Sequence, residues 1–154
     1  MRDLITEFWL WLNISKEEYM SMSEKQESSN YVDYEEYMFP FWEDLIDEIR
    51  NEIDDEKLDL QSIDKILTVM ALDNENEDVL DYIVDNASDE YVEYIVQNGS
   101  DCLYYNARWQ LAEILGRRKT RNWKELIAFL LSDKNPYVAK RANNVWEDFN
   151  TGGR

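Results

Sequence analysis

The chain reads as all-α, built of short antiparallel helix pairs behind an N-terminal helical cap. Only four glycines and two prolines punctuate 154 residues, so long helices with short connections are the natural arrangement. Apolar residues recur at three- and four-residue spacing from Leu4 to Phe149, the period of an amphipathic helix. Hairpin signals are scarce: Asn98-Gly99 is the one candidate turn, and its flanks do not alternate. The length suits one domain, and 44% hydrophobic with 14% aromatic content is too rich for a disordered acidic tail.

The first helix is expected over 2–13. Leu4, Ile5, Phe8, Trp9, Trp11 and Leu12 cover more than half of its circumference, which predicts substantial burial. Ser15-Lys16-Glu17-Glu18 has the capping-box pattern, and a helix carrying Tyr19, Met20 and Met22 follows, fading by Ser28-Ser29-Asn30. Asp33 is expected to start the next helix, which Pro40 interrupts, forcing either a kink or a fresh start near Phe41. Phe41, Trp42, Leu45, Ile46, Ile49 and Ile53 then keep helical spacing, with carboxylates across the wet face.

Short helices follow, marked by Ile63, Ile66, Leu67 and Met70, then by Val79, Leu80, Ile83 and Val84. Tyr91, Val92, Ile95 and Val96 mark the next, ended by Gly99. Leu103, Ala107, Leu111, Ile114 and Leu115 mark another, with Gly116 suited to the position just past its end. Trp123, Leu126, Ile127, Leu130 and Leu131 precede a last helix of Val138, Ala142, Val145, Trp146 and Phe149, with Asn135 as N-cap and Pro136 in first position. The expected organisation is a cap over 1–57, helix pairs over 58–149 and a flexible tail over 150–154.

Ala107, Leu111, Ile114 and Leu115 match Val138, Ala142, Val145 and Trp146 at a period of 31, the mark of stacked helix pairs. The run from Ala107 to Gly116 resembles the first helix of a short HEAT-like repeat, and Trp123 to Ser132 its second. Asp133-Lys134-Asn135-Pro136-Tyr137-Val138 resembles the opening of the next repeat. The likeness covers Asp101 to Phe149, fades upstream and is absent before residue 58. It implies a right-handed α-solenoid with an extended surface for macromolecules.

Charge is divided along the chain. The first hundred residues carry 28 acids and six bases, while the last 54 carry ten bases and six acids. The total is −18, with no histidine. Such a surface attracts basic macromolecules and repels nucleic acid and anionic membranes. The missing histidine removes the usual proton carrier near neutral pH. No Gly-rich phosphate loop, dinucleotide fingerprint or His-Glu-x-x-His is present, and one cysteine cannot build a zinc site. The chain is expected to be non-enzymatic, without cofactor or metal. Asp73, Glu75, Glu77 and Asp78 have some calcium-loop flavour but lack the glycine and the bidentate Glu, so they read as a solvated turn. Lone Cys102 reads as a small helix-start or core residue and, with no secretory or membrane segment in view, fits a cytoplasmic protein.

Three features carry the functional reading. Glu43, Asp44, Asp47, Glu48, Glu52, Asp54, Asp55, Glu56 and Asp59 crowd one stretch against Arg50 and Lys57, a density that repels itself and suggests an anionic binding surface. The aromatics around Pro40 (Tyr31, Tyr34, Tyr37, Phe39, Phe41, Trp42) read first as core and second as interface anchors. Arg117-Arg118-Lys119-Thr120-Arg121 reads as a helix C-terminus that also neutralises acid from the amino-terminal part. In character the chain resembles small acidic bacterial toxin-immunity proteins. That likeness implies a protein-binding inhibitor whose carboxylates engage a basic toxin, such as a nuclease. The expected contacts are Asp44, Asp47, Glu48, Asp54, Asp55, Asp78 and Asp81, with Tyr34 and Tyr82 as anchors. The alternatives are a DNA-mimic regulator of a DNA-binding protein and a HEAT-like scaffold.

Overall fold

The structure, a computed structural model, describes residues 2–25 and 33–152, with side chains described for 2–21 and 36–150. Among the described residues there is no strand. The α-helices are α1 (Leu4–Leu12), α2 (Lys16–Lys25), α3 (Trp42–Asp55), α4 (Leu60–Leu72), α5 (Asp78–Asn86), α6 (Asp89–Gly99), α7 (Tyr105–Arg118), α8 (Trp123–Leu131) and α9 (Pro136–Gly152). A 3-10 turn, Asp33–Met38, precedes Pro40. The expected end of the second helix at Ser28–Asn30, and Tyr31, lie outside the described residues, as do the side chains of Met22 and Tyr34.

The N-terminal helix is shorter and wetter than its composition suggests. Asp3 caps it, accepting from the Thr6 amide, and Asn13 closes it in the left-handed region at φ 63°. Leu4 and Phe8 are buried, but Leu10 is 75% exposed and Trp11 41%. Nine residues leave too few neighbours to cover an apolar surface that runs around more than half of the cylinder. Ser15 caps α2 through the Glu18 amide at 3.1 Å, and Tyr19 and Met20 turn inward.

Proline 40 produces a fresh start, with α3 beginning at Trp42. Trp42, Leu45, Ile46, Ile49 and Ile53 form one buried stripe, while Phe41 stays partly exposed beneath the Arg2 guanidinium at 4.1 Å. Next in the chain, α4 is buried along nearly its whole second half, from Ile66 to Leu72, because α3, α5, α6 and α7 surround it. Helix α7 packs on α4, α5, α6, α8 and α9.

Two of the expectations for α7 are corrected. Leu103 lies before the helix and is 68% exposed. Gly116 is a helical residue two positions before the last one, and Lys119 ends the helix at φ 46° with its Nζ on the Gly116 carbonyl. The role of Gly116 is close packing: a Cβ there would stand 2.9 Å from Val145 Cγ2 on α9. Gly99 acts similarly, since its Cβ would meet Leu111 Cδ1 and Leu67 Cδ2 at 3.0 Å. The two copies at period 31 therefore face each other, Ala107, Leu111 and Ile114 of α7 lying in one core with Val138, Ala142 and Val145 of α9. Asn135 caps α9 through the Tyr137 and Val138 amides at 2.9 and 3.2 Å. The helix runs on through 150–152, part of the expected flexible tail.

The packing order is regular. Helices α3, α5, α7 and α9 touch in succession, and so do α4, α6 and α8, with α7 against both sets. This places α5 beside α3, the helix richest in exposed acid among the described residues.

Candidate functional site

The nine acids between Glu43 and Asp59 divide into two groups once the helices are packed. Four serve the fold. Glu48 and Glu52 hold Lys65 of α4 at 2.8 and 3.8 Å, and Glu52 also accepts from Ser62 at 2.6 Å. Glu56 ends α3 at φ 48° and binds the amide and hydroxyl of Ser88, the N-cap of α6. Asp59 caps α4 through the Gln61 amide. The other five (Glu43, Asp44, Asp47, Asp54, Asp55) face solvent on α3.

Asp54 meets α5 directly. The Tyr82 hydroxyl donates to its carboxylate, 2.8 Å from each oxygen, which raises the pKa of the phenol. The Arg50 guanidinium lies 5.9 Å from the Tyr82 ring centre and pairs with Asp47 at 2.8 Å. On the other flank of Tyr82, Asp81 reaches Arg117 of α7 at 3.0 Å. One turn before Tyr82, Asp78 opens α5, where a carboxylate favours the helix N-terminus.

The structure thus brings Asp47, Asp54, Asp81 and Tyr82 together across α3 and α5. Asp44 stands apart at the first turn of α3, near Arg2. Glu48 is turned toward Lys65 and is half-buried. Asp55 is exposed at the far end of α3. The side chain of Tyr34 lies outside the described residues.

The basic run at the end of α7 is bound into the fold. Arg118 Nη1 donates to the carbonyls of Ile83, Val84 and Ala87, closing the C-terminus of α5, and Nη2 pairs with Asp89. With Arg117 on Asp81, two cations of the carboxy-terminal part neutralise two acids of the amino-terminal part.

The acidic α4–α5 loop is not simply solvated. Asp73 is fully buried, and its carboxylate accepts from the Val79 amide at 2.9 Å. Burial pushes this carboxyl up to about 7, against the Val79 and Asp78 amides and the Tyr37 hydroxyl, which hold it down. Tyr37 latches the same loop, its oxygen accepting from the Glu75 and Asn76 amides at 3.0 and 3.1 Å. No local pattern separates Asp73 from its exposed neighbours; only the arrival of Tyr37 from 36 residues upstream does.

Asp73 also takes over the capping of α5. Glu77 occupies the N-cap position in the left-handed region at φ 58°, but its side chain makes no capping bond. A non-glycine residue held there costs roughly 1–2 kcal/mol.

Among the described residues no group of three or more His, Cys, Asp or Glu side chains could hold a metal, and no helix is long and apolar enough to cross a membrane. No protein-family model, curated protein or solved structure matches the chain. The class of protein rests on the helical fold and on the acidic surface.

Proposed function

We propose that the chain is a non-enzymatic binding protein that engages a basic protein through the acidic α3–α5 face, in the manner of an immunity protein neutralising a toxin. A more particular fold goes with this reading: the helix pairs over 58–149 form a HEAT-like α-solenoid, with residues 1–57 as its cap. The observation that carries the proposal is the meeting of Asp47, Asp54 and Asp81 around Tyr82 on two adjacent helices.

Magnitudes favour a surface able to exchange its internal partners. The Asp47–Arg50 and Asp81–Arg117 pairs are well exposed, and such pairs contribute about 0–1 kcal/mol each. An incoming cation displaces Arg50 or Arg117 at small cost. Tyr82, a half-buried aromatic with a polar tip, supplies the kind of contact that slows dissociation.

The test is association kinetics with a basic protein captured from native lysate and identified by mass spectrometry. Raising salt from about 50 to about 500 mM, which shortens the Debye length to well below 10 Å, should slow association at least about tenfold. The variant carrying D47N, D54N and D81N should show a slower rate and a flatter salt dependence. A rate indifferent to salt would remove steering and favour the scaffold reading, in which charge serves solubility.

A further inference from the structure

We infer that the apolar patch made by α1 and the turn before α3 is a docking site for a basic amphipathic helix of another protein. The inference rests on the reading of the chain as a binder of basic protein, and it extends that interface beyond the first turn of α3.

Exposed apolar side chains gather at this end of the molecule. Leu10 is the most exposed large apolar side chain among the described residues, Met38 is 69% exposed, and Trp11 is open to solvent. Ring contacts make the patch continuous. Trp11 lies 5.5 Å from buried Phe39, and Phe39 lies 5.8 Å from Phe41, between ring centres. Met38 and Pro40, both exposed, flank Phe39 in the chain. Phe39 rests in turn against buried Phe8 at 5.4 Å, so the surface is backed by core and needs little ordering before it binds. Arg2 closes the face of Phe41. The open part is therefore Leu10, Trp11, Met38 and Pro40. Large apolar groups held in water are unfavourable by about 25 cal/mol per Å2, and a contiguous patch of them marks a contact surface.

Charge selects the occupant. Glu7 and Asp44 lie beside Arg2, and Glu43 is exposed in the same turn of α3 as Asp44. Arg2 is committed to Glu7 through two hydrogen bonds, at 3.0 and 2.7 Å. Glu43 and Asp44 hold no ion pair or side-chain hydrogen bond with any described residue. The exposed acids of α3 continue from them through Asp47 to Asp54 and Asp55. A second copy would set the same carboxylates against these, and anionic lipid would be repelled likewise. A helix with Leu or Phe along one face and Lys or Arg beside it satisfies both parts of the surface. Its apolar stripe covers Leu10, Trp11 and Met38, and its cations meet Glu43 and Asp44. Burial of the stripe slows dissociation, which exposed ion pairs do little to achieve by themselves.

The probe is a peptide of Leu and Lys at helical spacing, about four turns long. One control has the same composition shuffled so that no apolar face forms, and another carries Glu in place of Lys. The experiment follows the Trp11 indole N–H of the 15N-tryptophan-labelled protein during titration. The expected result is a saturable shift, absent with the Glu peptide, weakened about tenfold or more in L10S/M38S and several-fold in E43Q/D44N. Far-UV circular dichroism and the unperturbed signals of Trp42 and Trp109 establish that each variant is folded, and L10S alone carries the same test if the double variant is not. A Trp11 signal that does not move, that moves equally with the shuffled peptide, or that moves equally in folded L10S/M38S overturns the inference. So does a signal that shifts with protein concentration alone, the mark of a second copy, or more strongly with phosphatidylcholine vesicles than with the peptide. A response lost in D47N/D54N/D81N but intact in L10S/M38S overturns it too and leaves the α3–α5 reading standing. A response lost in L10S/M38S and kept in D47N/D54N/D81N supports the patch even where association of the captured protein proves indifferent to salt.

Discussion

Arg108 of α7 and Asp133, three residues before α9, form a two-pronged ion pair, Nε to Oδ2 at 2.8 Å and Nη2 to Oδ1 at 3.2 Å. Both side chains are almost wholly buried, at 3% and 6% exposure. The remaining prong of the guanidinium, Nη1, binds the Cys102 carbonyl at 2.6 Å, and Asp133 also accepts from the Asn135 amide at 2.8 Å. The pair ties the entry of α7 to the entry of α9. Removing one partner strands the other charge. Arg108→Met should cost about 3–5 kcal/mol in urea unfolding, while adding Asp133→Asn should return a large part of it. A single-variant loss below about 1 kcal/mol would mean that water already reaches the pair.

The α7–α9 contact depends on a missing methyl. Gly116→Ala gains about 1 kcal/mol of helix propensity, yet the new Cβ stands 2.9 Å from Val145 Cγ2, and relief of such overpacking costs about 1–3 kcal/mol. The variant should melt at a lower temperature than the parent. Val145→Ala made in the same chain should be less harmful than the two single losses combined. Strict additivity would place the strain elsewhere.

Asp73 gives the stability a pH dependence of definite sign. Its carboxyl titrates near 7 in the folded chain and near 3.8 when unfolded. Between those values the folded form holds a proton that the unfolded form has released. Stability from this group therefore falls as pH rises through the window, and the loss is complete above about 7. Asp73→Asn keeps an oxygen for the Val79 amide and removes the titration. From pH 5 to pH 8 the variant should gain about 2 kcal/mol relative to the parent in urea unfolding. A difference that stays constant with pH would show that Asp73 is ionised throughout.

Cys102 should be a slow thiol. Burial pushes it up to about 11, against the backbone hydrogen bond with Tyr104 and the Arg108 charge, which hold it down. Alkylation by iodoacetamide at pH 7.5 should be at least about 100-fold slower than for an unperturbed thiol, and urea should restore the ordinary rate. Rapid labelling of the folded chain would contradict the burial.

Local pattern carried most of the secondary structure because helix formation is a local matter. The stripe from Trp42 to Ile53 and the caps at Ser15 and Asn135 depend on residues two to four positions apart, and periodicity and capping chemistry report them directly. The period of 31 even named two helices, α7 and α9, that pack on each other. The same logic misled where an apolar residue had no neighbour to cover it, at Trp11 and Leu103.

By itself the sequence determined an all-α chain, the inner faces of its helices and the uneven placing of its charge. Tertiary structure alone decided which carboxylates face outward, because Glu52, Glu56 and Asp73 are claimed by Ser62, Ser88 and the Val79 amide, while Asp54 and Asp81 are left on the surface around Tyr82. The reason is range. Periodicity acts over a few residues, whereas the partners that bury, pair or expose a charge arrive from other helices, after the backbone has been packed.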